Sequence, residues 1–304
     1  MRFVIVGAGG IGAYFGGELA RAGNEVTLFA RGAHLDAVRT HGLTVRTPEG
    51  EFVARVGATN DPNELPAADV VIVAVKSYSL PDVTPVVRRL AERGTDVVPL
   101  LNGVTAADEL IAGGVPPTRV LGGLARVSVV RTEPGVVERR SGFYTIVVGE
   151  LAGGLSERAT KIADAFRAAG VDARASATMG VELWQKYVFI TAMAAVCGLA
   201  RTSIGPVRDA PGGRRLIRRA VSEVVQVARA RGIQLPDDEA PRTTAYIIDT
   251  LPAAMTPSFL LDLESGGPTE LETLSGAVSR LAGESGVDTP VHDTATVALG
   301  VRRQ

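Results

Sequence analysis

Lysine is rare in this chain. Of 32 basic residues only Lys76, Lys161 and Lys186 are lysine. Lysine can shift its pKa and release a proton where arginine cannot, so a retained lysine is a candidate acid or base. Lys161 falls in a polar helical stretch and reads as solvated. Lys76 directly follows the continuous apolar run 70–75, a strand covered on both faces. That puts it at a strand's carboxyl end, where open α/β sheets bind ligands. Lys186 stands at the edge of the apolar segment 187–200, four residues after Glu182. It is either half of an ordinary i, i+4 ion pair or a proton donor at the border of a buried region. Asn102 follows Val97-Val98-Pro99-Leu100-Leu101 and precedes Gly103. It is either a turn asparagine or a polar group at another strand's carboxyl end.

The second chemical signal is Gly7-Ala8-Gly9-Gly10-Ile11-Gly12, a G-x-G-x-x-G turn after a short β-branched run and before a helical stretch. The first glycine allows a tight turn and the second a close approach to a pyrophosphate. The third allows close helix–strand packing, with the helix N-terminus facing the phosphates. In this context the motif predicts dinucleotide binding. The next strand ends Leu28-Phe29-Ala30-Arg31, without the acid that accepts a ribose 2′-hydroxyl in NAD sites. Arg31 could instead hold the 2′-phosphate of NADP, or be a solvated loop charge.

These residues need a scaffold. The 304 residues suggest about two domains. Strands at 2–6, 25–29, 43–45, 52–56, 70–75 and 96–100 alternate with helices at 11–22, 33–40 and 81–93, the pattern of βαβ units and a parallel sheet. After residue 119 come strands at 120–130, 135–139 and 144–149 with a Glu133-Pro134-Gly135 turn, read as an antiparallel extension of the sheet. A helix follows at 156–169. From residue 181 only helices are predicted, at 181–199, 213–231, 236–250, 258–264 and 269–285. The expected fold class is therefore α/β. A Rossmann-type doubly wound sheet with an antiparallel extension occupies residues 1–175, and an all-helical domain occupies 176–304.

Composition narrows the function classes. The formal net charge is −1 and no acidic or basic tail is visible, which argues against charge-driven binding to nucleic acid. Cys197 is the one cysteine and no two of the three histidines have ligand spacing, so no metal site is expected. Residues 1–23 imitate a signal peptide, but the glycine turn explains them better. The apolar stretch 188–200 is too short to span a bilayer and predicts a buried helix. A cytoplasmic protein without a membrane role is the expectation.

The chain resembles the ketopantoate reductase (2-dehydropantoate 2-reductase) family over essentially its whole length. The resemblance rests on Gly7–Gly12, Phe29-Ala30-Arg31-Gly32, Val75-Lys76, Leu101-Asn102-Gly103-Val104, Trp184-Gln185-Lys186 and the late Ser258, Asp262, Thr269 and Glu270, in the family's order. It implies an NADPH-dependent reduction of a small 2-keto acid, in a cleft between a Rossmann and a helical domain, by a homodimer. It implies that Arg31 holds the 2′-phosphate and that Gly7, Ala8, Gly9, Gly10, Ile11 and Gly12 form the phosphate turn. By the same resemblance Lys76 and Asn102 line the nicotinamide and substrate side. Lys186 is the general acid, Ser258 binds the substrate, and Glu270 orients Lys186 or a substrate hydroxyl. Without the resemblance, Ser258 reads as a helix cap and Glu270 as a solvated helix acid.

Three positions depart from the family pattern. Ile190 and Ala194, four and eight residues after Lys186, and Met255, three before Ser258, stand where typical members carry asparagine. A pocket that binds hydroxyls discriminates through such polar contacts. The departure leaves open a less polar keto or imino substrate beside ketopantoate. A non-catalytic NADP(H)-sensing protein is a further alternative, against which the retained Lys186 and Glu270 argue.

Overall fold

The computed structural model describes residues 1–301. Residues 302–304, the end of the expected helical domain, lie outside the described residues. The chain divides into two compact units, Met1–Leu101 with Ala106–Met179, and Asn102–Thr105 with Gly180–Gln304.

The first unit is built on β1 (Arg2–Val6). Successive side chains on a strand point to opposite faces. Phe3 and Ile5 enter one apolar cluster, and Val4 and Val6 another. Both faces of the strand are thus buried, which is why its sequence runs apolar without alternation. Parallel pairing places β2 (Glu25–Phe29) on one side of β1 and β6 (Val70–Val73) on the other. β5 (Gly57–Thr59) extends the sheet beyond β2, and β7 (Asp96–Pro99) beyond β6. The order β5-β2-β1-β6-β7 reverses direction at β1, so the turn leaving β1 sits at a topological switch point. The helices α1 (Gly10–Arg21), α2 (Gly32–His41), α3 (Leu80–Glu92) and α4 (Ala106–Ala112) complete this half.

The hairpin expected after residue 119 is β8 (Gly122–Glu133) and β9 (Val136–Gly149), turning at Gly135 with φ +80°. Its strands are antiparallel as anticipated, but they belong to a second, mixed sheet. There β9 also pairs in parallel with β3 (Leu43–Thr47) and with β10 (Asp172–Ser176), while β3 pairs antiparallel with β4 (Gly50–Ala54). The two strands predicted at 135–139 and 144–149 form the one strand β9, but residues 140–143 between them have no β8 partner: pairing passes from Val127–Tyr144 to Val129–Arg139 across a bulge. β5, α4 and β10 had no sequence counterpart. The helix after the hairpin is α5 (Glu157–Ala168), and Ser156 caps it by accepting from the Ala159 amide at 3.2 Å.

α1 lies between the two sheets. A Cβ on Gly16 would meet Ile5 and Leu28 of the parallel sheet, and one on Gly17 would meet Leu43 and Val45 of the mixed sheet. Adjacent glycines let both sheets approach one helix. Tyr14, Phe15 and Leu19 fill the remaining space and are almost fully buried, each contributing about 1.5–3 kcal/mol by leaving water.

The second unit is organised around α6 (Met179–Ala200). Its residues 191–198 are buried on every side, as befits a central helix. By length and composition α6 is the one helix among the described residues that could cross a membrane, and 61% of its most apolar window is buried within the protein. Around it run α7 (Ile204–Asp209), α8 (Gly213–Ala230), α9 (Glu239–Ala245), α10 (Ser258–Glu264), α11 (Ser275–Ser285) and α12 (Pro290–Gly300). α9 continues into a π-helical turn at Tyr246–Thr250. α7 and α12 went unpredicted. The helix expected over 269–285 begins only at Ser275, so Glu270 lies in the approach to α11.

Candidate active site

The glycine turn has the geometry its sequence predicts. Gly7 has φ +101°, and a Cβ there would come within 2.7 Å of both the Val75 side chain and the Val75 amide. On Gly12 a Cβ would lie 2.1 Å from the Gly7 carbonyl and 2.9 Å from Ile5 Cγ2. Gly9 is the opposite case, with nothing within 4 Å. The turn is therefore closed against protein at its first and third glycines and open at its second. Gly9 is the N-cap of α1 and supplies no capping side chain, so the first amides of the helix are left for an outside acceptor. Ala8 is buried, and Gly10 and Ile11 are half-buried. A Cβ on Gly10 would meet the Val129 carbonyl at 2.7 Å, so the β8–β9 hairpin runs against this turn. The arrangement fits a dinucleotide pyrophosphate at Gly9.

Arg31 and Lys76 share the same carboxyl edge of the sheet. The Gly7 amide donates to the Phe29 carbonyl at 3.3 Å, two residues before Arg31. Val75, which abuts Gly7, immediately precedes Lys76. Lys76 is half-buried and Arg31 is exposed. Arg31 lines a pocket of about 290 Å³ together with Ala33, His34, Arg131, Thr132, Glu133 and Pro134. Burial first, and then the Arg131 guanidinium, hold His34 below the usual imidazole range. Arg131 and His34 carry no local sequence signal, because the pocket forms only when the hairpin meets the start of α2.

The second unit contains Asn102, Lys186, Ile190, Ala194, Met255, Ser258 and Glu270. Asn102 Nδ2 donates to Glu270 Oε2 at 3.2 Å across 168 positions of sequence. Glu270 is 3% exposed, so it is no solvated helix acid. Next to this pair, a Cβ on Gly103 (φ +101°) would meet Thr273 Cγ2 at 2.4 Å. Tyr187 Oη donates to the carbonyls of Thr273 and Leu274, pinning the segment after Glu270 to α6. This anchor escaped the sequence reading because its acceptors are backbone atoms.

Lys186 and Ile190 are half-buried along α6, whereas Ala194, one turn further, is 2% exposed inside the helical core. Ile190 and Met255 pack as half-buried residues on that core. Ser258 is exposed and is the first residue of α10, whose N-cap is Pro257. The cap that sequence alone suggests therefore belongs to the preceding residue.

Comparison with known proteins agrees across both units. The family model "Ketopantoate reductase PanE/ApbA" matches residues 3–153, and "Ketopantoate reductase PanE/ApbA C terminal" matches residues 179–303. A 2-dehydropantoate 2-reductase of Halobacterium salinarum is 34% identical over 293 residues, covering 96% of this chain and 95% of that protein. The uncharacterized oxidoreductase YkpB of Bacillus subtilis is 30% identical over 297 residues, covering 97% of this chain and 96% of its own. The crystal structure of a PanE/ApbA family ketopantoate reductase from Ralstonia eutropha superimposes with a TM-score of 0.90. It is 28% identical and covers 100% of this chain and 98% of the other.

Proposed function

This chain belongs to the ketopantoate reductase family and is an oxidoreductase, and on that premise we propose that it reduces a 2-keto acid with NADPH, ketopantoate to pantoate being the first candidate. The observation that carries the proposal is the hydrogen bond from half-buried Asn102 to buried Glu270. It unites two residues that the family resemblance gives to one reaction, in the unit that also contains Lys186.

A bound reduced nicotinamide supplies the hydride. The glycine turn receives the pyrophosphate at Gly9, Arg31 holds the 2′-phosphate, and Lys76, Asn102 and Glu270 hold the nicotinamide side. As the ketone carbon gains hydride, the C=O π pair moves to oxygen. Lys186 Nζ stabilises that developing charge and gives the oxygen its proton. Lys186 then recovers a proton from solvent, so the overall change is ketone plus hydride plus proton to alcohol. Asn102 fixes Glu270, and Glu270 orients the lysine. Ser258, exposed at the start of α10, binds the substrate carboxylate.

A second reading concerns the substrate alone. Ile190 and Met255 are half-buried apolar side chains where the family pattern has asparagines, while Ala194, at the third such position, is enclosed in the helical core. These residues favour a 2-keto compound with an apolar side chain over the hydroxylated ketopantoate. Steady-state rates with NADPH, measured on ketopantoate and on a series of 2-keto acids with alkyl and aryl side chains, test both readings. Highest kcat/KM on ketopantoate supports the first and rejects the second. Highest kcat/KM on an apolar member does the reverse. No NADPH oxidation with any 2-keto acid overturns the proposal.

A further inference from the structure

The pocket beside Arg31 holds more positive charge than one loop arginine provides. Arg31, Ala33 and His34 reach it from the start of α2, and Arg131, Thr132, Glu133 and Pro134 from the tip of the β8–β9 hairpin. Both arginines are exposed, and neither has an ion-pair partner among the described residues. The acid in the lining, Glu133, lies 3.6 Å from Arg46, which also holds Glu51 at 2.6 Å. Two unneutralised guanidinium groups on one small pocket repel each other unless an anion lies between them. The ten-residue helix α2 begins at the same place, and its N-cap, Arg31, supplies no capping bond.

His34 adds an independent sign of a missing partner. It is 4% exposed, and its Nδ1 accepts from the Gly135 amide at 2.9 Å. That bond leaves the proton on Nε2, which is buried and has no hydrogen-bond partner. The same bond ties the hairpin tip to α2 and so sets the position of Arg131 relative to Arg31.

We infer that Arg131 is a second ligand of the cofactor's 2′-phosphate, so that preference for NADPH over NADH is shared between the β2–α2 turn and the β8–β9 hairpin. The inference rests on the NADPH reading given above. A phosphomonoester carries close to two negative charges at neutral pH and presents three acceptor oxygens. Arg31 alone neutralises half of that charge, and a guanidinium from the opposite wall supplies the rest with directional donors. The site follows the second strand of the Rossmann half, where the ribose 2′ substituent is read.

The test compares Arg31→Met, Arg131→Met and Arg131→Lys in the full-length protein, with Arg140→Met as control. Arg140 is exposed on the same hairpin, pairs with Glu138 and does not line the pocket. The dissociation constants of NADPH and NADH are measured for each. Loss of one charged hydrogen-bonding partner predicts that NADPH binds roughly tenfold to a hundredfold more weakly to Arg131→Met. NADH binding is unchanged, Arg131→Lys recovers part of the loss, and Arg140→Met resembles the wild type. If Arg31→Met loses NADPH preference while Arg131→Met keeps it, this inference is overturned and the NADPH reading stands. Equal weakening of both cofactors in Arg131→Met also overturns it, because the arginine would then act on the fold. A wild-type protein that binds NADH as tightly as NADPH overturns the NADPH reading and this inference with it.

Discussion

Adding one methyl group at Gly9 and at Gly12 separates what the glycine turn does for the fold from what it does for a ligand. At Gly12 the new Cβ would lie 2.1 Å from the Gly7 carbonyl oxygen, 2.9 Å from Ile5 Cγ2 and 3.1 Å from Ala74 Cβ. The nearest obstacle is backbone held in the turn, so the chain must shift, and overpacking of this kind costs about 1–3 kcal/mol. For a unit of this size that lowers the unfolding midpoint by roughly 2–12 °C. At Gly9 the same methyl meets nothing within 4 Å, and φ is −73°, which alanine adopts freely. The folded protein should be unharmed or stabilised by about 0.4–1 kcal/mol, because alanine restricts the unfolded chain. The methyl would nonetheless occupy the space through which a pyrophosphate reaches the α1 amides. NADPH binding should weaken at least about tenfold, near 1.4 kcal/mol. Thermal unfolding without cofactor, paired with an NADPH fluorescence titration, reads both quantities. Gly9→Ala should keep the wild-type midpoint and lose affinity, while Gly12→Ala should lose the midpoint. A Gly9→Ala protein that binds NADPH as tightly as the wild type would refute the assignment of Gly9 as the phosphate approach.

Further outcomes follow from two polar groups, the Asn102–Glu270 pair and His292. Asn102→Ala removes a donor from the buried Glu270 carboxylate and should destabilise the protein by about 1–3 kcal/mol in chemical denaturation. Asn102→Asp sets a second carboxylate in the place of that donor and should lower kcat further at neutral pH than Asn102→Ala does. Burial pushes His292 down to about 4 from its ordinary 6.5, while Nε2 stays bonded to the Ala220 carbonyl. Unfolding restores the ordinary value, so the unfolded chain binds the extra proton first. The contribution of neutral His292 is complete above pH 6.5, falls as pH drops and is lost below about 4. Urea unfolding across that window should show this loss, and His292→Gln, though less stable throughout, should show a flatter dependence.

Local signals carried much of this molecule. The glycine turn, the buried parallel strands and the Gly135 turn are each written in a few adjacent residues. What escaped the sequence depends on distant partners. Thr44, Val45 and Arg46 pair with Val136, Val137 and Glu138, so a second sheet forms where local pattern suggested an extension of the first. The polar stretch Arg140-Ser141-Gly142-Phe143 interrupts the apolar pattern because it bulges out of the β8 register, while β9 pairs with β8 on either side of it. Glu270 looked like a helical surface acid because nothing nearby announces Asn102 as its partner. The start of α12 was missed, although Pro290 in its first turn is a local signal. The Lys186, Ile190 and Ala194 series shows the limit of helical spacing. It places the residues on one face of α6 but does not reveal that burial deepens along it.

Proton delivery by Lys186 is the central claim, and single-turnover kinetics of Lys186→Met test it most directly. The wild type and the variant are loaded with NADPH and mixed with the best 2-keto acid of the substrate series, and the decay of NADPH absorbance is followed. Loss of a general acid predicts a rate about a hundredfold to ten-thousandfold slower, with NADPH affinity within about twofold of the wild type. A variant that oxidises NADPH at the wild-type rate would contradict the claim, and the proton would then have to come from another group.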